Sequence, residues 1–64
     1  MLKKWLLIFE YANGAENVRA ADLDDVICEY RELKQIHKTY SARIFCDNIL
    51  MFSEKGDNFG IMQI

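Results

Sequence analysis

The chain has few of the residues that most often carry chemistry: two cysteines and one histidine in 64 residues. Two cysteines are too few for the disulfide framework of a small secreted domain. Cys28 and Cys46 each lie in an apolar-periodic stretch, which predicts reduced thiols that are buried or half-buried. No CxxC or HxxxH spacing occurs, so we expect no metal and no cofactor.

Long hydrophobic runs are also lacking. The N-terminal run ends at Glu10 after Trp5 to Phe9, shorter than the roughly 7–15 residues of a signal-peptide core. No stretch approaches the length of a membrane span. There is no Asn-x-Ser/Thr sequon. We therefore expect a cytoplasmic protein that has no contact with a membrane.

No element combines the groups that catalysis needs. His37 lies on a predicted helix stripe, and nine residues separate it from Cys28, which places the two on opposite sides of that helix. Ser41 and Ser53 have no glycine-rich elbow around them. A chain of this length also has little room for a water-excluding pocket. The sequence predicts that the protein is not an enzyme.

Charge of one sign is not concentrated either, since the net charge is −2. Nucleic-acid binders usually carry a basic stripe, whereas the basic residues here are scattered along the chain. Several aromatic residues lie on the predicted strands, and a sheet-based binder of single-stranded nucleic acid is therefore an alternative function. We prefer core packing as the explanation of these residues. They are Trp5, Phe9, Tyr11, Phe45, Phe52 and Phe59.

What the sequence does contain is one short domain, residues 1–64, with 52% hydrophobic residues. Its most informative stretch is Trp5–Tyr11, which reads as a strand. The odd positions of this strand are apolar throughout, while the even positions have Leu6 and Ile8 between Lys4 and Glu10. The odd positions are expected to form the floor of a core, and Leu6 and Ile8 need a cover on the other side.

The order of elements can be predicted from turn and helix signals. Asn13-Gly14 predicts a hairpin whose return strand, residues 16–20, is an edge strand. Asp22 predicts the N-cap of an amphipathic helix that ends near Lys38. Two further strands, residues 43–46 and 49–53, flank a turn at Asp47-Asn48; one long strand through Asp47-Asn48 is the alternative. A turn at residues 55–58 and a last strand at residues 59–64 complete the chain.

These elements predict an α+β fold: a mostly antiparallel four- to five-stranded sheet in the order ββαβββ, with one amphipathic helix on one face. A hairpin, a helix and another hairpin resemble the element order of the β-grasp folds. One helix covers one sheet face, yet the strands are apolar on both. Large exposed apolar patches usually mark interaction surfaces.

We therefore expect a protein-interaction module that self-associates or docks on a protein partner through the uncovered sheet face; a sheet that curls and buries both faces against itself is the alternative. The first functional alternative is an inhibitor of a nucleic-acid-handling complex that uses an acidic helix face. The candidate residues are Leu6, Ile8, Leu50 and Phe52 on the sheet, and Asp25, Glu29 and Glu32 on the helix.

Overall fold

The computed structural model describes residues 4–56. Its elements are β1 (Trp5–Tyr11), β2 (Glu16–Ala21), α1 (Leu23–Ile36), β3 (Tyr40–Cys46) and β4 (Ile49–Lys55). All neighbouring strands are antiparallel, in the sheet order β2-β1-β3-β4. The predicted α+β fold is confirmed. The predicted strand at residues 59–64 lies outside the described residues.

The helix α1 begins where its sequence predicts. The Asp22 carboxylate accepts a hydrogen bond of 3.0 Å from the backbone N–H of Asp25, which satisfies one of the free donors of the first turn. The helix ends at Ile36, earlier than predicted, because His37 adopts an extended conformation. The backbone N–H of His37 still donates to the carbonyl of Leu33, at 2.8 Å.

The two hairpins use different turns. Asp47 (φ 51°) and Asn48 (φ 70°) both have positive φ and join β3 to β4 as a two-residue loop, as a type I′ turn requires. The predicted turn at Asp47-Asn48 is therefore confirmed. In the first hairpin only Gly14 has positive φ, at 92°, and the Asn13 side chain accepts a hydrogen bond from Ala15 N–H.

The core lies between α1 and the two central strands. Leu7 and Phe9 of β1 are fully buried, and Val26 packs on them from the helix. The strand β3 begins at Tyr40, earlier than predicted, because Tyr40 pairs with Tyr11 at the end of β1. Because β3 pairs with β1 along its whole length, it is longer than the apolar run, residues 43–46, from which the strand was predicted.

The edge strand β4 contains a bulge. Ile44 lies opposite Phe52 and the next residue, Phe45, lies opposite Leu50. Met51 is therefore an extra residue on β4, which is the arrangement of a β-bulge. No helix within residues 4–56 is long and apolar enough to cross a membrane.

Candidate protein-interaction surfaces

The sheet side that faces away from α1 is called the outer face here. Residues that lie directly opposite each other on antiparallel strands share a face. Leu6 lies opposite Phe45 of β3, and Phe45 lies opposite Leu50 of β4. On the other side of β1, Ile8 lies opposite Val18 of β2. These five side chains form one apolar patch across all four strands.

No described element packs on this patch, since α1 contacts the sheet from the side of Leu7 and Phe9. Val18 is 59% exposed and Leu50 is 51% exposed. Leu6 and Ile8 are half-buried, because their strand is central and its neighbours shield them. Within residues 4–56, no helix covers Leu6 and Ile8 on the outer face.

The other half of the outer face is polar. Arg43 lies opposite Ile8 and pairs with Glu16, with an Nη2–Oε2 distance of 3.6 Å. Glu10 and the buried Ser41 lie opposite each other beyond this ion pair. The apolar patch therefore occupies only the half of the face nearest the start of β1, and it is smaller than the sequence pattern indicated.

Phe52 does not belong to the outer face, which corrects its grouping with Leu6, Ile8 and Leu50. Phe52 lies opposite Ile44, on the helix side, where its ring meets Tyr30 edge-on at 5.5 Å. Strict alternation places Leu50 and Phe52 on one face. The bulge at Met51 breaks that alternation, and nothing in the local sequence identifies it.

A second apolar surface lies on the helix side of the sheet. The backbone of α1 lies over β1, β2 and β3. The helix reaches β4 through the side chains of Tyr30 and Lys34, and a groove of about 300 Å³ remains between α1 and β4. Ile49 and Met51 are 64% and 58% exposed. This groove was not predicted, because the alternation of apolar residues along β4 does not show where α1 lies over the sheet.

The three acidic helix residues have different environments. Asp25 is exposed, and its backbone N–H is held by the N-cap. Glu29 accepts a hydrogen bond of 2.9 Å from Asn17 Nδ2 and lies 3.9 Å from an Arg19 nitrogen. Glu32 is exposed. Because Glu29 is engaged by β2, the three carboxylates do not form one free acidic surface.

A polar cluster around Glu54 joins β4 to the rest of the fold. The hydroxyl groups of Tyr30 and Tyr40 both donate to Glu54 Oε1, the second at 2.7 Å. Lys34 Nζ donates to the Tyr30 hydroxyl oxygen at 3.1 Å and lies 3.4 Å from Glu54 Oε1. This cluster was not predicted, because Tyr30, Tyr40 and Glu54 are far apart in the chain.

The cluster shifts the pKa of each of its members. Hydrogen bonds from Tyr30 and then Tyr40 lower the pKa of Glu54 below its ordinary 4.5. Burial, followed by the bond to Glu54, raises the pKa of Tyr40 to about 12. The same two causes raise the pKa of Tyr30. The hydrogen bond to Tyr30 raises the pKa of Lys34.

These shifts predict how stability depends on pH. Glu54 binds a proton more weakly in the folded chain, so its contribution is present above about pH 4.5 and is lost as pH falls through its lowered pKa. Tyr40 holds its proton more strongly when folded, so stability also falls as pH rises from 10 to about 12. Urea unfolding across pH should show both losses, and Glu54→Gln should flatten the acidic one. An acidic limb that is identical in the wild type and Glu54→Gln contradicts this assignment.

The remaining candidate groups have structural surroundings. The His37 ring lies 4.6 Å from the Tyr11 ring. Cys46 is buried, but Cys28 is exposed, contrary to prediction, because it lies on the solvent side of α1. Phe9 is under the helix and Phe45 is on the outer face, so the aromatic residues do not share one platform. Residues 4–56 contain no group of three side chains placed to hold a metal ion.

No family model, no curated protein and no solved structure matches the chain.

Proposed function

We propose that the chain is a non-enzymatic protein-interaction module that docks through the apolar patch of its outer face. The observation that carries the proposal is the continuous row of Leu6, Phe45 and Leu50 across three strands, with no described element packed on it. Monomeric proteins rarely leave contiguous apolar patches without a use.

The two outer strands of the sheet order carry the most exposed side chains of the patch. Fully burying a Val or Leu side chain contributes roughly 1.5–3 kcal/mol, and Val18 and Leu50 each keep more than half of their surface exposed. A small domain has a total stability of only about 5–15 kcal/mol. Covering the exposed parts of these two side chains therefore contributes about 1.5–3 kcal/mol per chain before the cost of association.

A second copy of the chain is the partner that we assign first. Two sheets stack face to face at about 10 Å when both faces are apolar. The polar half of the outer face carries both charge signs, Glu10 and Glu16 with Arg43 and Lys55. The net charge is only −2. Two copies therefore meet without strong like-charge repulsion.

A double variant, Val18→Lys with Leu50→Lys, tests the proposal by sedimentation. It places two charges on the patch, and since each change occurs twice in a symmetric dimer, we expect self-association to weaken about 100-fold or more. Both positions are exposed on edge strands, so the fold should tolerate them. The matched control is Ile36→Lys, which removes a side chain that is 73% exposed on α1.

The outcomes separate the partners. A wild-type dimer that only the double variant dissociates supports the proposal. A wild-type monomer excludes the second copy as partner. In that case, a different protein remains as the partner only if the wild type binds a hydrophobic dye. The double variant should then lose this dye binding, and Ile36→Lys should keep it. A monomer that binds no dye overturns the interaction role altogether.

The two alternative functions stay predictions without a specific structural observation in their favour. For the acidic helix face, the engagement of Glu29 by Asn17 and Arg19 removes one of three proposed contacts. For single-stranded nucleic acid, the aromatic side chains are divided between two faces of the sheet.

A further inference from the structure

The groove between α1 and β4 has a helical wall that changes character along its length. Leu23, Ile27 and Arg31 all line it. They are spaced four residues apart and so form one row along the helix. This row extends about 12 Å, at 1.5 Å per residue. It begins with two aliphatic side chains and ends with one cation.

The opposite wall is apolar throughout. Met51 and Phe52 of β4 line the groove on the side of the sheet edge, and Trp5 of β1 also lines it. Met51 is 58% exposed and Phe52 is 40% exposed, so both keep surface that a ligand can cover. Among the described lining residues, Arg31 is the only charged one.

Within residues 4–56 the guanidinium of Arg31 has no ion-pair partner. The ion pairs found in residues 4–56 use Arg19, Lys34 and Arg43 as their cations. The carboxylate of Glu54 is already engaged by Tyr30, Tyr40 and Lys34. A groove that is apolar along its length and ends at a cation complements a molecule with an apolar body and one anionic end.

We propose that this groove binds a single-chain aliphatic carboxylate. The chain lies along Leu23 and Ile27 on one side and along Met51 and Phe52 on the other, and the carboxylate accepts hydrogen bonds from Arg31. Decanoate is the probe, because its extended length is close to that of the helix row. This site lies on the helix side of the sheet and does not depend on the outer face.

Trp5 is the only tryptophan of the chain, and it lines the groove, so its fluorescence reports on this site. We expect decanoate, titrated below its micelle concentration into the full chain, to change Trp5 emission saturably at one molecule per chain. From hexanoate to decanoate, affinity should rise about fourfold per methylene. Decanol should bind about fivefold more weakly than decanoate.

Two substitutions locate the site. Arg31→Gln should remove the preference for decanoate over decanol, whereas Lys38→Gln, which removes a cation that does not line the groove, should keep it. Ile27→Glu places a carboxylate beside the chain and should abolish binding. Since Arg31 is exposed, its replacement should leave folding intact, which circular dichroism checks.

Three results overturn the proposal. The first is the absence of a saturable Trp5 response with any of the acids. The second is equal affinity for decanoate and decanol in the wild type, or a preference that Arg31→Gln retains. The third is an apparent dissociation constant, corrected for bound ligand, that rises with total protein concentration, which assigns the groove to a second copy. None of these depends on the outer-face variants, so this proposal and the proposed function fail separately.

Discussion

Replacing Phe9 by alanine should unfold the domain. Phe9 is fully buried at the centre of the core, and its ring stacks on Tyr40 at 4.9 Å with an angle of 13° between the planes. Removing a buried Phe side chain costs about 3–5 kcal/mol, because the transfer free energy is lost and a cavity remains. A chain of this size is only marginally stable. We therefore expect Phe9→Ala to have little or no folded population in water.

Urea unfolding followed by circular dichroism measures this effect. The matched control is Ile49→Ala, which truncates an apolar strand residue that is 64% exposed and lies outside the outer face; it should change stability by about 0.5 kcal/mol or less. Phe9→Leu should fall between the two, since it keeps most of the apolar volume. A Phe9→Ala chain with the wild-type unfolding midpoint would contradict the position assigned to this ring.

Replacing Gly56 by alanine should also be strongly destabilising, although the residue lies at the end of β4. A Cβ at this position would overlap the carbonyl oxygen of Lys38 and the ring of Tyr40. The backbone N–H of Gly56 donates to the Tyr40 carbonyl at 2.8 Å, which holds the two strands close. Relieving the overlap must displace Tyr40, which stacks on Phe9 and bonds to Glu54. We expect a loss of about 2–3 kcal/mol in the free energy of unfolding.

Gly14→Ala is the control for this change, because glycine is favoured at Gly14 by the backbone conformation and not by lack of space for a Cβ. Gly14 has φ +92°, and a Cβ at this position would have no atom of the described chain within 4 Å. Its replacement strains the backbone without a steric overlap and should cost about 1 kcal/mol. Gly14→Ala should leave the ionisation of Tyr40 unchanged, whereas Gly56→Ala should bring the pKa of Tyr40 down from about 12. An equal effect of the two substitutions on stability would argue against the contact at Gly56.

Local patterns were enough to predict most of the fold. Asp22 indicated the start of α1 because a side-chain acceptor at that position satisfies a free backbone N–H. Asp47-Asn48 indicated a tight turn because both residues tolerate positive φ. The alternation along β1 predicted that Leu7 and Phe9 face the core. Each of these signals depends only on residues that are near each other in the chain.

The features that were missed depend on contacts between distant residues. The bulge at Met51 follows from how β4 pairs with β3, and it moves Phe52 to the helix side. The role of Glu54 was not predicted, because it accepts its hydrogen bonds from Tyr30 and Tyr40, which lie 24 and 14 positions earlier in the chain. The groove exists because α1 lies over three strands of a four-stranded sheet, and strand composition does not determine that offset.

The central claim is that the apolar patch of the outer face is a docking surface, with a second copy as its first partner. Backbone amide chemical shifts, followed by NMR from millimolar to micromolar protein concentration, test it most directly. We expect concentration-dependent shifts at Leu6, Ile8, Val18, Phe45 and Leu50, with α1 unaffected. Shifts that do not change with dilution in a chain that tumbles as a monomer, or shifts that change only on α1, would contradict a second copy docked on the outer face.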